Sequence, residues 1–555
     1  MLRITLTSSQ RDSLFIFVGC LGLFLFNIST DQEFINFQTR FAVFAQEMLR
    51  NGPTFFPTTY NIPYPDYPAT STFLIYLLSL PFHKVTNLSA TLPTAITSAL
   101  IAVMTYKIGA LQNRAWGWYG LAFLLFTATF LAESRTIALD QYVSVVTATS
   151  FYIIYSADIF QTTRRLYWLP FLFIIGFAFR GPIGLIVPVS IVCGYYFLEK
   201  NWRRLFFFGF LSGLLLAICF SLLLWFAYLD GGSSFLDDVI TMQVASRVNI
   251  VTKNPWGYYF INSFADYAIT YPLAILLLLG LMPTILKQNS TNTNEPLCLV
   301  KHLSFWALII LVGFSFANSK RNHYLLPLAP ALALLCAYLF AAKEYTLNVF
   351  LFSLKNILLK ICTVLPGVIA VLLVVAWFYA QTLDFIVDAP VWWGLIICML
   401  LQIGVLFYRK NSAIVLSIGV AVFIVLQLLI LEPVNYALNV TRDFVHSFEK
   451  TRHQADAEIG FYDFGRDALA IKFMANLPHT EIAAGIDPLF IDDTTALFAL
   501  QKKVFFITKP KTYDEFPPSI QSQLTLLSRD KIGHAPIVVF AVTKYLGADD
   551  VNSFR

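Results

Sequence analysis

The sequence predicts an α-helical polytopic membrane protein with a small α/β domain at its C-terminal end. Of its 555 residues, 57% are hydrophobic and only 13% are charged, and the mean hydropathy is +0.67. An ordinary soluble domain carries about 25% charged residues, whereas many segments here approach the roughly 20 apolar residues that cross a bilayer. The composition therefore excludes an ordinary soluble protein. The net charge of +5 is small, and its spacing does not indicate nucleic-acid binding.

Basic residues between the apolar segments determine the predicted topology, because Lys and Arg cluster in cytoplasmic loops. With the N-terminus in the cytoplasm, about 13 spans satisfy this pattern. The run Thr72–Phe82 has eleven residues, too few to cross at 1.5 Å per residue, so we predict an interfacial helix there. Tyr167–Leu198 is too long for one span, and we predict that it turns back at Arg180-Gly-Pro182. This topology leaves the C-terminal tail on the outer face.

The chain divides by composition into two domains. Residues 1–438 form the predicted membrane module, which includes a long first outer loop over 30–87, and residues 439–555 form the predicted periplasmic α/β domain. Strands are predicted at Ile459–Tyr462, Lys503–Ile507 and Ile537–Val542, with helices at Ala468–Ala475 and Ile520–Leu527.

Acidic residues gather in the loops that this topology puts on the outer face. Asp31, Glu33 and Asp66 lie in the first outer loop, and Asp140 lies at the end of a second one. Because a carboxylate costs several kcal/mol in hydrocarbon, acids collected on one face of a membrane protein indicate a site. Lys320 and Arg321 also fall outside, against the usual charge bias, which favours an anionic ligand.

Six segments, in order along the membrane region, carry a family resemblance. They are Arg40–Gly52, Asp66-Tyr-Pro68, Arg135 with Asp140, Arg180-Gly-Pro182, Asn254–Tyr259 and Lys320–Pro330. These segments resemble the motifs of bacterial GT-C glycosyltransferases, the group that contains the lipid A aminoarabinose transferase and the protein O-mannosyltransferases. Two departures stand out. Phe37 occupies the position of the family's catalytic acid, and Arg180 replaces a lysine.

The resemblance implies an integral membrane glycosyltransferase that uses a polyprenyl-phosphate-linked sugar. Transfer through an oxocarbenium-like state needs a carboxylate, and the departing phosphate needs cations, for which arginine is favoured. The implied catalytic residues are Asp140, Asp31 and Glu33. The implied substrate-binding residues are Arg40, Asp66, Arg135, Arg180, Lys253, Tyr258, Tyr259, Lys320, Arg321 and Tyr324.

The resemblance also implies the partners and the location. The acceptor would be lipid A, lipopolysaccharide or another envelope glycan rather than protein. A monomer would sit in the bacterial inner membrane with its C-terminal domain in the periplasm. Aminoarabinose-type enzymes hold a metal with a loop acid and a later His. Asp66 matches the acid, but the stretch before Asn254 contains no His, so no cofactor is certain and a divalent metal is doubtful.

Two other functions are compatible with this sequence. A transporter or flippase for lipid-linked sugars would place charges in mid-membrane and often shows two similar halves, and neither feature is evident here. A non-catalytic relative is the second alternative, because Phe37 stands where the family has its acid.

Overall fold

The computed structural model describes residues 8–245, 254–287, 296–343, 347–382, 391–465, 469–478 and 487–547. Helices account for most of the described chain. The longer helices are Ser8–Leu25, Gln38–Asn51, Thr70–Ser79, Asn87–Ala110, Arg114–Leu125, Asp140–Ile159, Leu169–Leu198, Trp202–Ile240, Tyr258–Asp266, Thr270–Lys287, Pro296–Ser315, Ala329–Ala341, Val349–Thr382, Val391–Tyr408, Ser412–Leu426 and Arg442–Ala455. The shorter helical segments are Leu80–Phe82, Ala128–Glu133, Thr163–Trp168, Thr241–Ala245, Asn322–Leu328, Gln427–Leu431, Glu432–Leu438, Leu469–Ala475, Thr494–Ala499, Pro510–Asp514, Pro518–Gln521 and Thr543–Tyr545.

The described residues form two compact units. The membrane unit comprises Met1–Asn27, Pro65–Ser71 and Thr91–Pro433, and the second unit comprises Ile28–Tyr64, Thr72–Ala90 and Val434–Arg555. The second unit thus includes most of the first outer loop as well as the C-terminal region. The predicted division at residues 438 and 439, and the periplasmic position of 439–555, stay predictions.

Helix length and composition confirm a polytopic membrane protein. Among the described residues, eight helices are long and apolar enough to cross a membrane, or nine if the bent pair Tyr258–Asp266 and Thr270–Pro283 is one span. The helix Trp202–Ile240 exposes large apolar side chains, with Phe206 71% and Phe210 77% exposed, as expected for a helix that faces lipid. The count of about 13 spans stays a prediction.

The chain reverses direction at Arg180-Gly-Pro182, as the sequence predicts. Helix Leu169–Leu198 is interrupted there, and Gly181 has φ +58°, a value that glycine adopts without a steric penalty. A Cβ added to Gly176 would lie 2.1 Å from the carbonyl oxygen of Gly184. Residues eight apart in a straight helix are about 12 Å apart, so the two halves of this segment lie against each other.

The second unit contains a five-stranded sheet. Its strands are β3 (Glu458–Tyr462), β4 (Leu489–Ile491), β5 (Val504–Thr508), β6 (Leu524–Ile532) and β7 (Ala535–Val542), and a two-stranded hairpin, β1 (Thr58–Thr59) with β2 (Ile62–Pro63), lies earlier in the chain. The order is β4-β3-β5-β7-β6, with β3 parallel to β4 and β5, and β7 antiparallel to β5 and β6. The three predicted strands are confirmed.

The predicted helix Ile520–Leu527 is wrong. Only Pro518–Gln521 is helical, and strand β6 begins at Leu524. A tight turn at Gly533, with φ +60°, brings β6 and β7 together. Pairing with a buried strand therefore overrides the local pattern that favoured a helix.

The first outer loop packs on the α/β fold within the second unit. Helix Gln38–Asn51 contacts helix Leu469–Ala475. The Asn476 side chain accepts a hydrogen bond from the Phe34 N–H and donates one to the Phe34 carbonyl, both at 2.9 Å. Sequence reasoning treated this loop as part of the membrane module and did not predict the contact.

Candidate active site

A buried ion pair between Asp140 and Arg180 forms the centre of the candidate site in the membrane unit. Arg180 Nε lies 3.1 Å from Asp140 Oδ1, and Nη2 lies 3.3 Å from Oδ2. The Asp140 side chain is 8% exposed and the Arg180 side chain is 9% exposed. This two-point contact is the arrangement in which an arginine binds a carboxylate most specifically. Both residues are among those that the sequence predicts.

Local structure explains why these two side chains meet. Asp140 is the first residue of helix Asp140–Ile159, where the helix dipole favours a negative charge. Arg180 lies at the chain reversal, where its backbone is not helical. The rings of Tyr142 and Phe179 stack with centroids 4.2 Å apart, which holds the start of the first helix against the residue before Arg180.

Three aromatic side chains surround the ion pair. Arg180 donates a short hydrogen bond from Nη1 to the Tyr67 hydroxyl. Its guanidinium carbon lies 5.0 Å from the Tyr67 ring centre and 5.6 Å from the Tyr324 ring centre, distances at which aromatic faces attract cations. His323 Nε2 lies 3.9 Å from Asp140 Oδ2. The cluster therefore combines one acid, one cation, one imidazole and two phenols.

Asp66 is buried beside this cluster. Asp66 is only 4% exposed, and its Oδ1 accepts a hydrogen bond from the Tyr67 N–H at 3.0 Å. Because Tyr67 contacts Arg180, Asp66 lies next in the chain to a residue that touches the ion pair. The structure thus brings Asp66, Asp140, Arg180 and Tyr324 of the predicted set into one region.

A second group of predicted residues forms a hydrogen-bonded network. The Tyr259 hydroxyl donates to the Arg321 carbonyl at 3.2 Å and accepts from the Arg321 N–H at 3.1 Å. The Tyr258 hydroxyl donates to Asn322 Oδ1 at 3.1 Å, and Asn322 Nδ2 donates to Asp266 Oδ1 at 2.7 Å. The two tyrosines therefore hold the backbone and side chains that precede His323.

Lys320 and Arg321 differ in their surroundings. Lys320 is 7% exposed, and Nζ donates to the carbonyl of Asn254 at 3.2 Å. Burial lowers the pKa of Lys320 from its usual value. Arg321 is exposed. Lys320 is therefore the more buried cation of the predicted pair.

Arg135, which the resemblance assigns to substrate binding, forms all its hydrogen bonds within the protein. Nε and Nη2 bind the two oxygens of Glu432 at 2.7 and 3.0 Å. The remaining contacts go to the carbonyls of Leu23, Phe24 and Phe26 at 2.7 to 3.0 Å. These bonds use all five N–H donors of the guanidinium, so none is left for a phosphate. Arg135 instead caps the C-terminal end of helix Ser8–Leu25.

Glu133 shows the effect of burial without a cation. Its carboxylate accepts a hydrogen bond from the Thr136 hydroxyl at 3.3 Å. Burial, with a smaller contribution from the charge of Asp140, raises the pKa of Glu133 to about 7. Burial therefore favours the protonated form of Glu133 more than water favours that form of a solvated glutamate.

The remaining predicted acids belong to the second unit. Glu33 Oε2 accepts hydrogen bonds from the backbone N–H groups of Thr441 and Arg442 at 2.9 and 3.1 Å, so it caps helix Arg442–Ala455. Burial raises the pKa of Glu33, and these bonds oppose the shift. Asp31 is 82% exposed and lies 3.7 Å from Lys84. This cap gives Glu33 a structural contact, and the catalytic assignments of Glu33 and Asp31 stay predictions.

Two further predicted binding residues are Arg40 and Lys253. The Arg40 guanidinium lies 5.2 Å from the ring centre of Tyr64, within the second unit. Lys253 lies outside the described residues.

Sequence reasoning missed three residues at the ion pair. Tyr67 and His323 each lie inside one of the six segments named above, but only neighbouring residues of those segments were predicted to form the site. Gln243 had no motif at all. It is 8% exposed, and within the described chain its Nε2 has no hydrogen-bond partner. Its Oε1 would lie 3.5 Å from a Cβ added to Gly181, next to the reversal that carries Arg180.

Within the described chain, the group of three potential metal-ligand atoms within 4.8 Å of one another is Glu199, Cys298 and His302. This group includes neither Asp66, the acid that the resemblance relates to a metal, nor Asp140 and His323. We therefore assign no step of the proposed reaction to a metal.

Comparison with known proteins gives sequence relatives over part of the chain. No family model matches the sequence. The undecaprenyl phosphate-alpha-4-amino-4-deoxy-L-arabinose arabinosyl transferase of Pseudomonas paraeruginosa is 25% identical over 347 residues, and the match covers 60% of each chain. The enzyme of that name in Yersinia enterocolitica is 27% identical over 326 residues, or 54% of each chain. An uncharacterised protein of Aquifex aeolicus is 24% identical over 339 residues, 59% of this chain and 64% of that one.

Solved structures match the fold over almost the whole chain. ArnT of Cupriavidus metallidurans in the apo state gives a TM-score of 0.67 at 14% identity, covering 98% of this chain and 100% of that one. The structure of the same protein bound to undecaprenyl phosphate gives 0.66, covering 96% and 98%. The two chains therefore share a fold, while the curated relatives are matched over about 60% of their length.

Proposed function

We propose that this chain is a member of the GT-C superfamily of membrane glycosyltransferases and transfers a sugar from a polyprenyl-phosphate-linked donor to an acceptor in the bacterial envelope. The observation that carries the proposal is the buried contact of Asp140 with Arg180, surrounded by Tyr67, His323 and Tyr324. The similarity to enzymes named as undecaprenyl phosphate aminoarabinose transferases supports the same class of donor.

Asp140 is the proposed catalytic base. In the transfer, the bond between the anomeric carbon and the phosphate oxygen breaks, and the electron pair leaves with the phosphate. The acceptor hydroxyl forms the new bond to the anomeric carbon and gives its proton to the carboxylate. The positive charge that develops on the sugar ring is also stabilised by a nearby carboxylate. Asp66 is the second acid of the site and supports this electrostatic role.

Arg180 is the proposed cation for the donor phosphate. Within the described residues, three of its five N–H groups are used, two by Asp140 and one by Tyr67. The other two donors are available for phosphate oxygens, which an arginine binds in a fixed fork. Lys320 and Arg321 are the further cations, and the buried Nε2 of Gln243 is an additional donor.

The tyrosines are proposed to bind sugar or the first isoprene units. The ring centres of Tyr67 and Tyr324 lie 5.0 and 5.6 Å from the guanidinium carbon of Arg180. Tyr258 and Tyr259 hold the segment that carries Arg321. An aromatic ring suits both the apolar face of a sugar and a polyprenyl chain.

The site is proposed to face the periplasm in the inner membrane, with the N-terminus in the cytoplasm and residues 439–555 outside. Basic residues between the spans support this orientation. The proposed acceptor is lipid A, lipopolysaccharide or another envelope glycan, and the proposed active form is a monomer.

Donor choice tests the proposal directly. We expect purified protein to transfer sugar from a polyprenyl-phosphate sugar to envelope glycolipid and to leave a nucleotide sugar unused. The double variant Lys320→Ala with Arg321→Ala should weaken donor binding by roughly 10²-fold, because charged hydrogen bonds to phosphate are lost. The matched control is Arg164→Ala with Arg203→Ala, two exposed cations in loops predicted to be cytoplasmic.

Turnover with a nucleotide sugar alone would contradict the proposed donor. Equal donor binding by both double variants and the wild type would remove Lys320 and Arg321 from the phosphate site.

A further inference from the structure

Three metal-ligating side chains meet in the membrane unit, apart from the Asp140 site. Glu199 follows the last residue of helix Leu169–Leu198. Cys298 and His302 lie four residues apart near the start of helix Pro296–Ser315, so they share one helix face. One potential ligand atom from each residue lies within 4.8 Å of the other two. Nothing in the proposed transfer reaction uses them.

The hydrogen bond of the His302 ring directs its second nitrogen toward the acid. Nδ1 lies 2.8 Å from the Cys298 carbonyl, and a carbonyl can only accept, so Nδ1 carries the proton. Nε2 lies 2.9 Å from Glu199 Oε1. A histidine that donates from one nitrogen to a backbone carbonyl and presents the other to a ligand group is the usual arrangement at a zinc centre.

The second nitrogen of His302 faces Glu199 in a buried position. The His302 side chain is 1% exposed, and within the described residues its Nε2 has no partner at hydrogen-bonding geometry. A metal ion bound at Nε2 takes the place of the proton that this nitrogen would otherwise direct at the carboxylate. Donor atoms around tetrahedral zinc are about 3.3–3.6 Å apart, given bonds of 2.0–2.3 Å. The Cys298 Sγ lies 3.6 Å from Nδ1 of His302, so the thiol side chain turns toward Nε2 when the ion binds.

Charge balance also favours a divalent ion. Cys298 is 5% exposed and His302 2% exposed, and the Tyr195 ring stacks on the imidazole with centroids 4.4 Å apart. A thiolate and a carboxylate together carry two negative charges, which one divalent cation neutralises. Neutrality matters in such a buried place, where an unpaired charge is costly.

We infer that Glu199, Cys298 and His302 bind a zinc ion, with water as a fourth ligand. Thiolate, imidazole and carboxylate are the three side-chain groups that zinc takes in proteins, and the thiolate disfavours magnesium or calcium. The ion joins the end of helix Leu169–Leu198 to the start of helix Pro296–Ser315. The inference does not depend on the proposed glycosyl transfer.

Metal binding by the purified full-length protein in detergent tests the inference. After removal of metal with a chelator, we expect one equivalent of Zn²⁺ to bind and to raise the unfolding temperature. Co²⁺ should give a thiolate charge-transfer band in the near ultraviolet. Cys298→Ser should abolish that band, and His302→Gln should weaken Zn²⁺ binding by at least about 10²-fold, since even outer partners of zinc ligands cost 10–100-fold.

Matched controls separate this site from general metal binding. Cys336→Ser removes another buried thiol, and His83→Gln removes an exposed histidine, so both should bind Zn²⁺ like the wild type. Glu199→Gln keeps the shape of the side chain and serves if a core variant does not fold. Absence of stoichiometric Zn²⁺ in the wild type, or a Co²⁺ thiolate band that persists in Cys298→Ser, would overturn the inference.

Discussion

Arg135 and Arg180 are both buried arginines that bind a carboxylate in the membrane unit, but they differ in how many donors the protein uses. Arg135 gives two N–H groups to Glu432 and three to backbone carbonyls. Within the described residues, Arg180 gives two to Asp140 and one to Tyr67. The Asp140–Arg180 pair also lies beside His323 and two tyrosine rings. Among the described residues, Arg180 donates no hydrogen bond to a backbone carbonyl, whereas Arg135 donates three.

This difference separates structural from functional burial of charge. A fully bonded buried pair fixes the structure around it, and removal of one partner leaves an uncompensated charge. When a buried pair keeps unused N–H donors, those donors have lost their contact with water without gaining hydrogen bonds in the protein. This loss is costly unless a ligand accepts the missing bonds. We therefore expect mutation of the Arg135–Glu432 pair to affect mainly stability and mutation of the Asp140–Arg180 pair to affect mainly turnover.

The largest expected effect is on turnover in Asp140→Asn. Loss of a general base costs roughly 10²- to 10⁴-fold in rate, while the amide keeps the size of the side chain. We expect sugar transfer to fall by that factor in the protein that remains folded, while the loss of the carboxylate beside the buried Arg180 also lowers the unfolding temperature. Glu432→Gln is the matched control and should mainly lower stability. Normal turnover in Asp140→Asn would show that the two pairs do not differ in function.

Arg135→Met should affect the free energy of unfolding instead. The change leaves Glu432 buried without its cation and three carbonyls without donors, so we expect a loss of about 3–5 kcal/mol. Thermal unfolding in detergent measures it. Protein that remains folded should turn over donor at a rate close to that of the wild type. A rate loss as large as that of Asp140→Asn, at unchanged stability, would indicate instead that Arg135 binds the donor phosphate.

Sequence motifs identified Asp140, Asp66 and Arg180, and the length of the apolar run identified the reversal at Arg180-Gly-Pro182. They could not identify which arginine pairs with Asp140. Arg135 is five residues from Asp140, whereas Arg180 is 40 residues away, and only the packing of helix Asp140–Ile159 against helix Leu169–Leu198 brings the second into contact. Likewise, the carbonyls that bind Arg135 lie at least 109 residues from it. Long-range contacts of this kind leave no local pattern.

The C-terminal region shows the same limit. The segment Ile520–Leu527, in which polar and apolar residues are mixed, is compatible with either a helix or a strand by local propensity. Its pairing with β7 decides the outcome. Glu33 and Asp31 looked equivalent in sequence, yet the cap formed by Glu33 on helix Arg442–Ala455 depends on residues more than 400 positions away.

The pH dependence of stability that we expect from Glu133 tests the comparison between fully bonded and incompletely bonded buried charges. It lies two residues from Arg135 but binds a hydroxyl, and burial raises its pKa from 4.5 to about 7. Between these values the folded protein holds a proton that the unfolded chain has released, so the free energy of unfolding falls as pH rises through this window. We expect Glu133→Gln to remove that slope and to stabilise the protein at pH 8 by about 1–3 kcal/mol.

Glu458→Gln serves as the control for Glu133→Gln, because the Glu458 side chain is 51% exposed and pairs with Lys502 at the surface of the second unit. Unfolding temperatures between pH 5 and pH 8 provide the measurement. A slope that persists in Glu133→Gln would assign it to another group.

The smallest expected effect concerns the Tyr67 hydroxyl. Tyr67→Phe removes the acceptor of the Arg180 Nη1 hydrogen bond and keeps the ring whose centre lies 5.0 Å from the guanidinium carbon. A typical hydrogen bond contributes about 0.5–1.5 kcal/mol, so we expect donor affinity or turnover to fall by roughly two- to tenfold. Tyr155→Phe is the matched control, since its hydroxyl binds Gln112 rather than Arg180. If Tyr67→Phe equals the wild type while Tyr67→Leu is impaired, the ring alone positions Arg180. If both equal the wild type, Tyr67 does not orient the guanidinium, and the orientation of Arg180 rests on Asp140.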